Sequence, residues 1–143
     1  MRLILPSMIV IVLLMSSISI SAKTKIDTID NWQVYYNRKI IENYPHYPNS
    51  PSIIIKKDKI KPNDFLKVQY SNDTPCSDCK TGLYILIKNK KEILVNGKGT
   101  RNSLKVSMKE ILNKARQYHT NILDFYYYDN IKRNTFIFKL EFE

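Results

Sequence analysis

The stretch NDTPCSDCKTG, residues 72 to 82, holds the only two cysteines of the 143-residue chain, spaced Cys76-x-x-Cys79. A pair at this spacing serves thiol–disulfide exchange, half of a metal site, or a bond that closes a loop. Exchange chemistry wants the first thiol at the start of a helix, where the dipole favours the thiolate. Here the pair follows SNDTP and precedes TGLYILIK, a run of strand character, so no helix is expected to activate it. Asp73 and Asp78 flank the sulfurs and disfavour a thiolate further. Zinc takes four ligands, and His46 and His119, the only histidines, stand isolated in the sequence. Neither a metal nor another cofactor is expected. The remaining reading is a Cys76–Cys79 disulfide across the connection between two strands, with a redox centre at the same pair as the alternative. A loop of about four residues constrains the unfolded chain by only about 2 kcal/mol, so the bond pins a corner without holding the fold together.

Other catalytic patterns are sparse. The chain has no Gly-x-Ser-x-Gly, no His-Glu-x-x-His and no phosphate-cradling glycine loop. A Cys-His nucleophile pair would need the fold to bring Cys76 or Cys79 to His46 or His119. His119 falls at the end of a helical pattern, where an end cap or a partly buried histidine is the expected role. The sequon Asn72-Asp73-Thr74 is followed directly by Pro75, which argues against glycosylation there.

Recognition has more to draw on. NYPHYPNSPS sets Pro45, Pro48 and Pro51 three apart, which in a polyproline II helix puts Tyr44 and Tyr47 on one side. Its plainer role is a stiff inter-strand connection. In FYYYD, Tyr126 and Tyr128 share a face opposite Phe125 and Tyr127, and outward tyrosines can stack on sugars or pack on a partner protein. Between Lys88 and Arg116 nine basic residues face only Glu92 and Glu110, a local charge of +7 in 29 residues. Such a run is either solvated lysine on strand faces or a patch for an anionic surface, including a membrane surface. The candidate partner-binding residues are therefore Tyr44, Tyr47, Tyr126 and Tyr128 with Lys88, Lys90, Lys91, Lys98 and Arg101. Nucleic acid is disfavoured as a partner, since no Gly-framed aromatic motif of the RNA-binding type occurs.

The first residues carry an expectation about the destination of the chain. In MRLILPSMIVIVLLMSSISISA, Arg2 precedes an apolar run that ends in small residues, the order of a secretory leader cleaved after Ala22. The run approaches the roughly 20 residues that span a bilayer, but its closing serines weaken it as an anchor. The mature chain is then expected to start at Lys23, with 121 residues and a net charge of +9. That length suits one domain able to bury its own core, and 43% hydrophobic residues argue against disorder.

Strands must position these residues. NWQVYYN and DFLKVQY alternate with period two, as do SLKVS and NILDFYYYD. SIIIKK and LYILIK are continuous apolar runs of strand length, and KEILV is expected to end in an Asn96-Gly97 turn. TFIFKLEF is expected to point Phe136, Phe138, Leu140 and Phe142 inward and Ile137, Lys139 and Glu141 outward. One helix interrupts the strands, over 108–118: Ser107 and Glu110 have capping-box spacing, and Met108, Ile111, Leu112, Ala115 and Tyr118 form its apolar stripe. Glu110 and Lys114 are expected to pair one turn apart. The expectation is an all-β chain, an antiparallel β-sandwich of Ig-like or jelly-roll-like type with about eight strands and that one helix, a small barrel being the competing architecture. The function expected is that of an exported, non-enzymatic module that binds a protein or glycan partner or acts as an accessory protein of the cell envelope.

Overall fold

Period-two alternation is realised as two sheets packed face to face. The structure is a computed structural model and describes residues 30–45, 50–130 and 134–143. The expected leader, His46, Tyr47 and Pro48 lie outside the described residues. Nine strands form: β1 (Asn31–Tyr36), β2 (Lys39–Pro45), β3 (Ser52–Ile55), β4 (Phe65–Ser71), β5 (Lys80–Ile87), β6 (Lys90–Lys98), β7 (Leu104–Ser107), β8 (Ile122–Tyr128) and β9 (Thr135–Phe142). The four-stranded sheet runs β2-β1-β4-β7 and the five-stranded sheet β3-β9-β8-β5-β6. Every pairing is antiparallel except β3 with β9, which is parallel. The arrangement is a sandwich with one short helix, and the sheets do not close into a barrel.

The ninth strand is β2, KIIENYP, which sequence periodicity does not flag. It is an edge strand, mostly exposed, and its pairing with β1 slips between Val34 and Tyr35, so Ile41 is an extra residue that breaks the alternation. The Asn96-Gly97 turn is also absent: both residues lie inside β6, opposite Gly82 and Thr81. The reversal into β6 is made instead by Lys88 and Asn89, whose φ values of 49° and 63° fit the left-handed pair of a tight hairpin.

Inward side chains of both sheets build one core. Trp32 of β1 is fully buried, stacked on Tyr70 of its own sheet at 4.4 Å and set edge-on to Tyr127 of the other sheet at 4.9 Å. Tyr44, a sequence candidate for partner binding, is also committed to the interior. Its hydroxyl donates to the carbonyl of Ile137 at 2.5 Å, tying edge strand β2 to β9 across the sandwich. Burial pushes that phenol well above its usual pKa.

The helix α1 (Met108–Gln117) follows β7 without a break. Ser107 caps it by accepting from the Lys109 N–H at 3.2 Å, one residue short of the capping-box bond to Glu110. Met108, Ile111 and Ala115 are buried as expected. The helix ends in a Schellman turn: His119 N–H bonds Arg116 O, Thr120 N–H bonds Ala115 O, and His119 holds the left-handed position at φ 51°. Lys114 turns away from Glu110 to reach Glu92 of β6 at 2.8 Å, where Tyr118 and Lys90 also converge. A carboxylate across the gap, already held by two other donors, is a better partner than an exposed one on the same helix. The hydrogen bonds from Lys114 and then Tyr118 pull the Glu92 carboxyl down to about 2. Since this folded value lies below the unfolded 4.5, the stabilisation is complete above about pH 4.5 and disappears as pH falls toward 2. Wild type should therefore be more stable than Glu92→Gln at pH 7, and the difference in melting temperature should vanish by pH 2, as calorimetry across that range would show.

Candidate recognition face

Two bulges assemble the most distinctive surface of the molecule. In β9, Phe125 opposes Phe138 while Tyr126 opposes Phe136, leaving Ile137 as an extra residue. The pleat changes sides there, so Ile137 is buried and Phe136 turns out, the reverse of the sequence expectation for these two. In β6, Leu83 opposes Val95 and Tyr84 opposes Ile93, with Leu94 as the extra residue. Both bulges flank one row across the outer face of the five-stranded sheet: Ile93, Tyr84, Tyr126, Phe136. The next row is Lys91, Leu86, Asp124 and Lys139, and beyond it Ile122, Glu141 and Ile54 share a line.

Six large hydrophobic residues are exposed among those described, and five of them, Ile54, Leu86, Ile93, Ile122 and Phe136, stand on this face. Aromatic rings pave its centre. Tyr84 and Tyr126 stack at 5.1 Å, and Phe136 leans on Tyr126 at 5.4 Å. Tyr128 lies over Gly82, where a Cβ would come within 2.4 Å of the ring, which explains a glycine in mid-strand. The Tyr128 hydroxyl bonds Asn96, and that of Tyr84 bonds Asn134 at 2.9 Å. The Lys91 ammonium sits 4.1 Å from the Tyr84 ring centre and 4.7 Å from that of Tyr128. Asp124 is half-buried here, with one carboxylate oxygen covered and lacking a hydrogen-bond partner among the described residues. A shallow depression lined by Lys91, Tyr128, Asp129, Asn130 and Asn134 borders the paving.

The opposite outer face is different. There Gln33 opposes Gln69, Tyr35 opposes Lys67, and Lys67 opposes Lys105, with Lys67 over the Tyr35 ring at 3.7 Å. One side of the sandwich is polar and the other apolar and aromatic. Contiguous exposed apolar surface of this kind is uncommon on monomeric proteins.

Of the sequence candidates, Tyr126, Tyr128 and Lys91 meet on this face. Tyr84, Leu86, Ile93 and Phe136 are the residues that the sequence reading missed. The signal was present in LYILIK, a continuous apolar run, which places apolar residues on both faces of a largely buried strand. The basic residues do not form one patch. Lys88, Lys90 and Lys91 sit at one end of β6 and Lys98 and Arg101 at or beyond the other, roughly 26 Å apart at strand rise. Lys98 pairs with Asp78 at 2.9 Å, and Lys90 and Lys114 both reach Glu92.

The cysteines lie in the bend between β4 and β5 and are joined as a disulfide, with Cα atoms 5.8 Å apart. No helix starts there. Cys79 is buried, and the loop is laced to the β6–β7 connection: Gly99 N–H bonds Cys79 O at 2.8 Å, Thr100 N–H bonds Cys76 O at 2.9 Å, and Cys76 N–H bonds Thr100 Oγ1 at 3.0 Å. Gly99 suits this corner twice over: its φ of 78° is one that side chains rarely adopt, and a Cβ there would lie 2.9 Å from the Ser77 carbonyl. With these bonds keeping the corner in place, reduction should cost only about 2 kcal/mol and leave unfolding cooperative, which urea titrations with and without reductant would measure. Cys79 at the head of β5 and His119 beyond α1 stand at opposite ends of the sheet, on the order of 25 Å apart along the strand. They do not form a nucleophile pair. Among the described residues no three His, Cys, Asp or Glu side chains group to hold a metal, and no helix is long and apolar enough to cross a membrane. No family model matches the chain, and neither a curated protein nor a solved structure is found to match it.

Proposed function

We propose that the protein is an exported binding module without catalytic chemistry of its own, acting in the cell envelope or outside it, and that it engages its partner through the outer face of the five-stranded sheet. The observation that carries this reading is the concentration of five of the six exposed large hydrophobic residues on that one face. Aliphatic residues beside the rings favour a protein partner, because sugar platforms rely on flat aromatic surface and hydroxyl-binding groups. Lys91 and the half-buried Asp124 supply polar points that would fix the orientation of a docked surface. A Cys76–Cys79 bond in an otherwise cysteine-free chain agrees with an oxidising destination.

The test is capture of partners from host envelope extract by the wild type and by the variant Leu86→Ser, Ile93→Ser, Phe136→Ser, each at low and high salt. These positions are exposed, so the variant should remain folded. Capture that resists salt and is lost in the variant supports the reading. Capture that is lost at high salt and unchanged in the variant would move the function to the lysines, and a glycan array positive only for the wild type would change the partner class.

Thiol–disulfide exchange is the second reading, favoured by one observation: an open depression beside Cys76, lined by Pro75, Ser77, Gly99, Arg101 and Asn102. A Cys79→Ser variant that traps no mixed disulfide with a thiol substrate would remove it.

A further inference from the structure

We propose that the groove between edge strands β2 and β3 accepts an extended acidic segment of a partner protein, added as a further strand along β3. The groove adjoins the outer face discussed above and meets it at Ile54. Among the described residues β2 ends one sheet and β3 the other, with an opening between them. The opening is a groove of about 420 Å³ with Ile41, Ile53 and Ile55 along it and Lys39, Lys56 and Lys59 around it.

The backbone of β3 is half used. Pro51 O, Ile55 O and Lys57 N–H all bond β9 or the residue after it. By alternation, the amides and carbonyls of Ser52 and Ile54 and the amide of Lys56 face the edge, the Lys56 carbonyl being taken by the Lys59 N–H at 3.1 Å. Ile54 is 57% exposed beside them. An edge with free peptide groups, an apolar groove for alternate side chains and a fixed rim is the geometry of strand addition.

Charge decides the occupant. Around the groove three lysines face Glu42 alone, and the contact of Lys59 with Asp58 at 3.5 Å is between exposed groups, which weakens it. A second copy of this chain would bring the same lysines together, and like charges across an interface are repelled. An acidic strand with apolar residues at alternate positions matches both rim and groove. Edge lysines also serve to deter unwanted strand pairing, and that rival role predicts no ligand at all.

The experiment uses a fluorescein-labelled heptapeptide alternating glutamate with valine and a counterpart alternating lysine with valine. Anisotropy gives affinity, and amide shift changes give location. The expected result is binding of the acidic peptide only, with shifts over Ser52–Lys56, weakened at least tenfold in the variant Lys39→Glu, Lys56→Glu, Lys59→Glu. These side chains are exposed, and the variant's amide spectrum would verify its fold. The proposal is overturned if neither peptide binds, if charge reversal leaves affinity unchanged, or if the shifts fall on Leu86, Ile93 and Phe136 rather than on Ser52–Lys56. Self-association of Lys39→Ser, Lys56→Ser, Lys59→Ser without peptide binding by the wild type would establish the deterrent role instead.

Discussion

Replacing Trp32 with alanine is expected to cost about 4 kcal/mol, the range for a large aromatic removed from a close-packed core. The side chain is fully buried and touches Tyr70 of one sheet and Tyr127 of the other, so the cavity would open where the two sheets meet. A domain of this size holds on the order of 5–15 kcal/mol in total, so the variant would stand near the margin of folding. In urea the midpoint should fall by about 2 M, given a slope near 2 kcal/mol per molar. Tyr35→Ala, on the polar outer face, should cost less than about 1 kcal/mol and serves as the control. A loss below about 1 kcal/mol for Trp32→Ala would mean that the sheets are not held together through this residue.

Asp64→Ala is expected to cost about 2 kcal/mol, because it removes a buried ionised acceptor and leaves three part-buried donors without it. The Asp64 carboxylate accepts from the Tyr36 hydroxyl, from Asn37 Nδ2 at 2.9 Å and from the Lys61 N–H at 2.8 Å. Its backbone carbonyl accepts from the Met108 N–H at the start of α1, also at 2.8 Å. One residue thus joins the β1–β2 hairpin, the turn before β4 and the helix. The Lys61 backbone bond, then Tyr36 and Asn37, hold the carboxyl below its usual pKa. Protonation on acidification should therefore weaken the same junction, in the same direction as for Glu92. Tyr36→Phe, which removes one donor and leaves the acceptor partly served, should cost about 1 kcal/mol. Equal losses for the two variants, measured by chemical denaturation, would contradict the central role given to the carboxylate.

Much of the scaffold was legible because it rests on local rules. Trp32 and Val34, then Leu66, Val68 and Tyr70, obey period two and are buried as the alternation requires. The helix follows from its 3.6-residue stripe, and the cysteines from their placement between two strand-like runs. What the sequence hid was non-local. A bulge is a property of a pair of strands, and nothing in TFIFKLEF marks Ile137 as the residue that will have no opposite number. The exchange of Phe136 for Ile137 follows from that one insertion, and so does half of the aromatic row. Tyr44 looked outward by its spacing, yet an edge strand lets a long side chain fold back over the gap, and its hydroxyl found a carbonyl there. The basic run left both solvated lysine and a patch open, and the extended β6 carries Lys90 and Lys98 to opposite ends of the strand.

Site-specific photocrosslinking tests the central claim most directly. A benzoylphenylalanine at position 86 or 93 of the five-stranded sheet is compared in host cells with one at Lys67 on the opposite outer face. The account predicts a discrete adduct of the same mass from both 86 and 93 and none from 67. An adduct from 67 alone, or none from either apolar position, would contradict it.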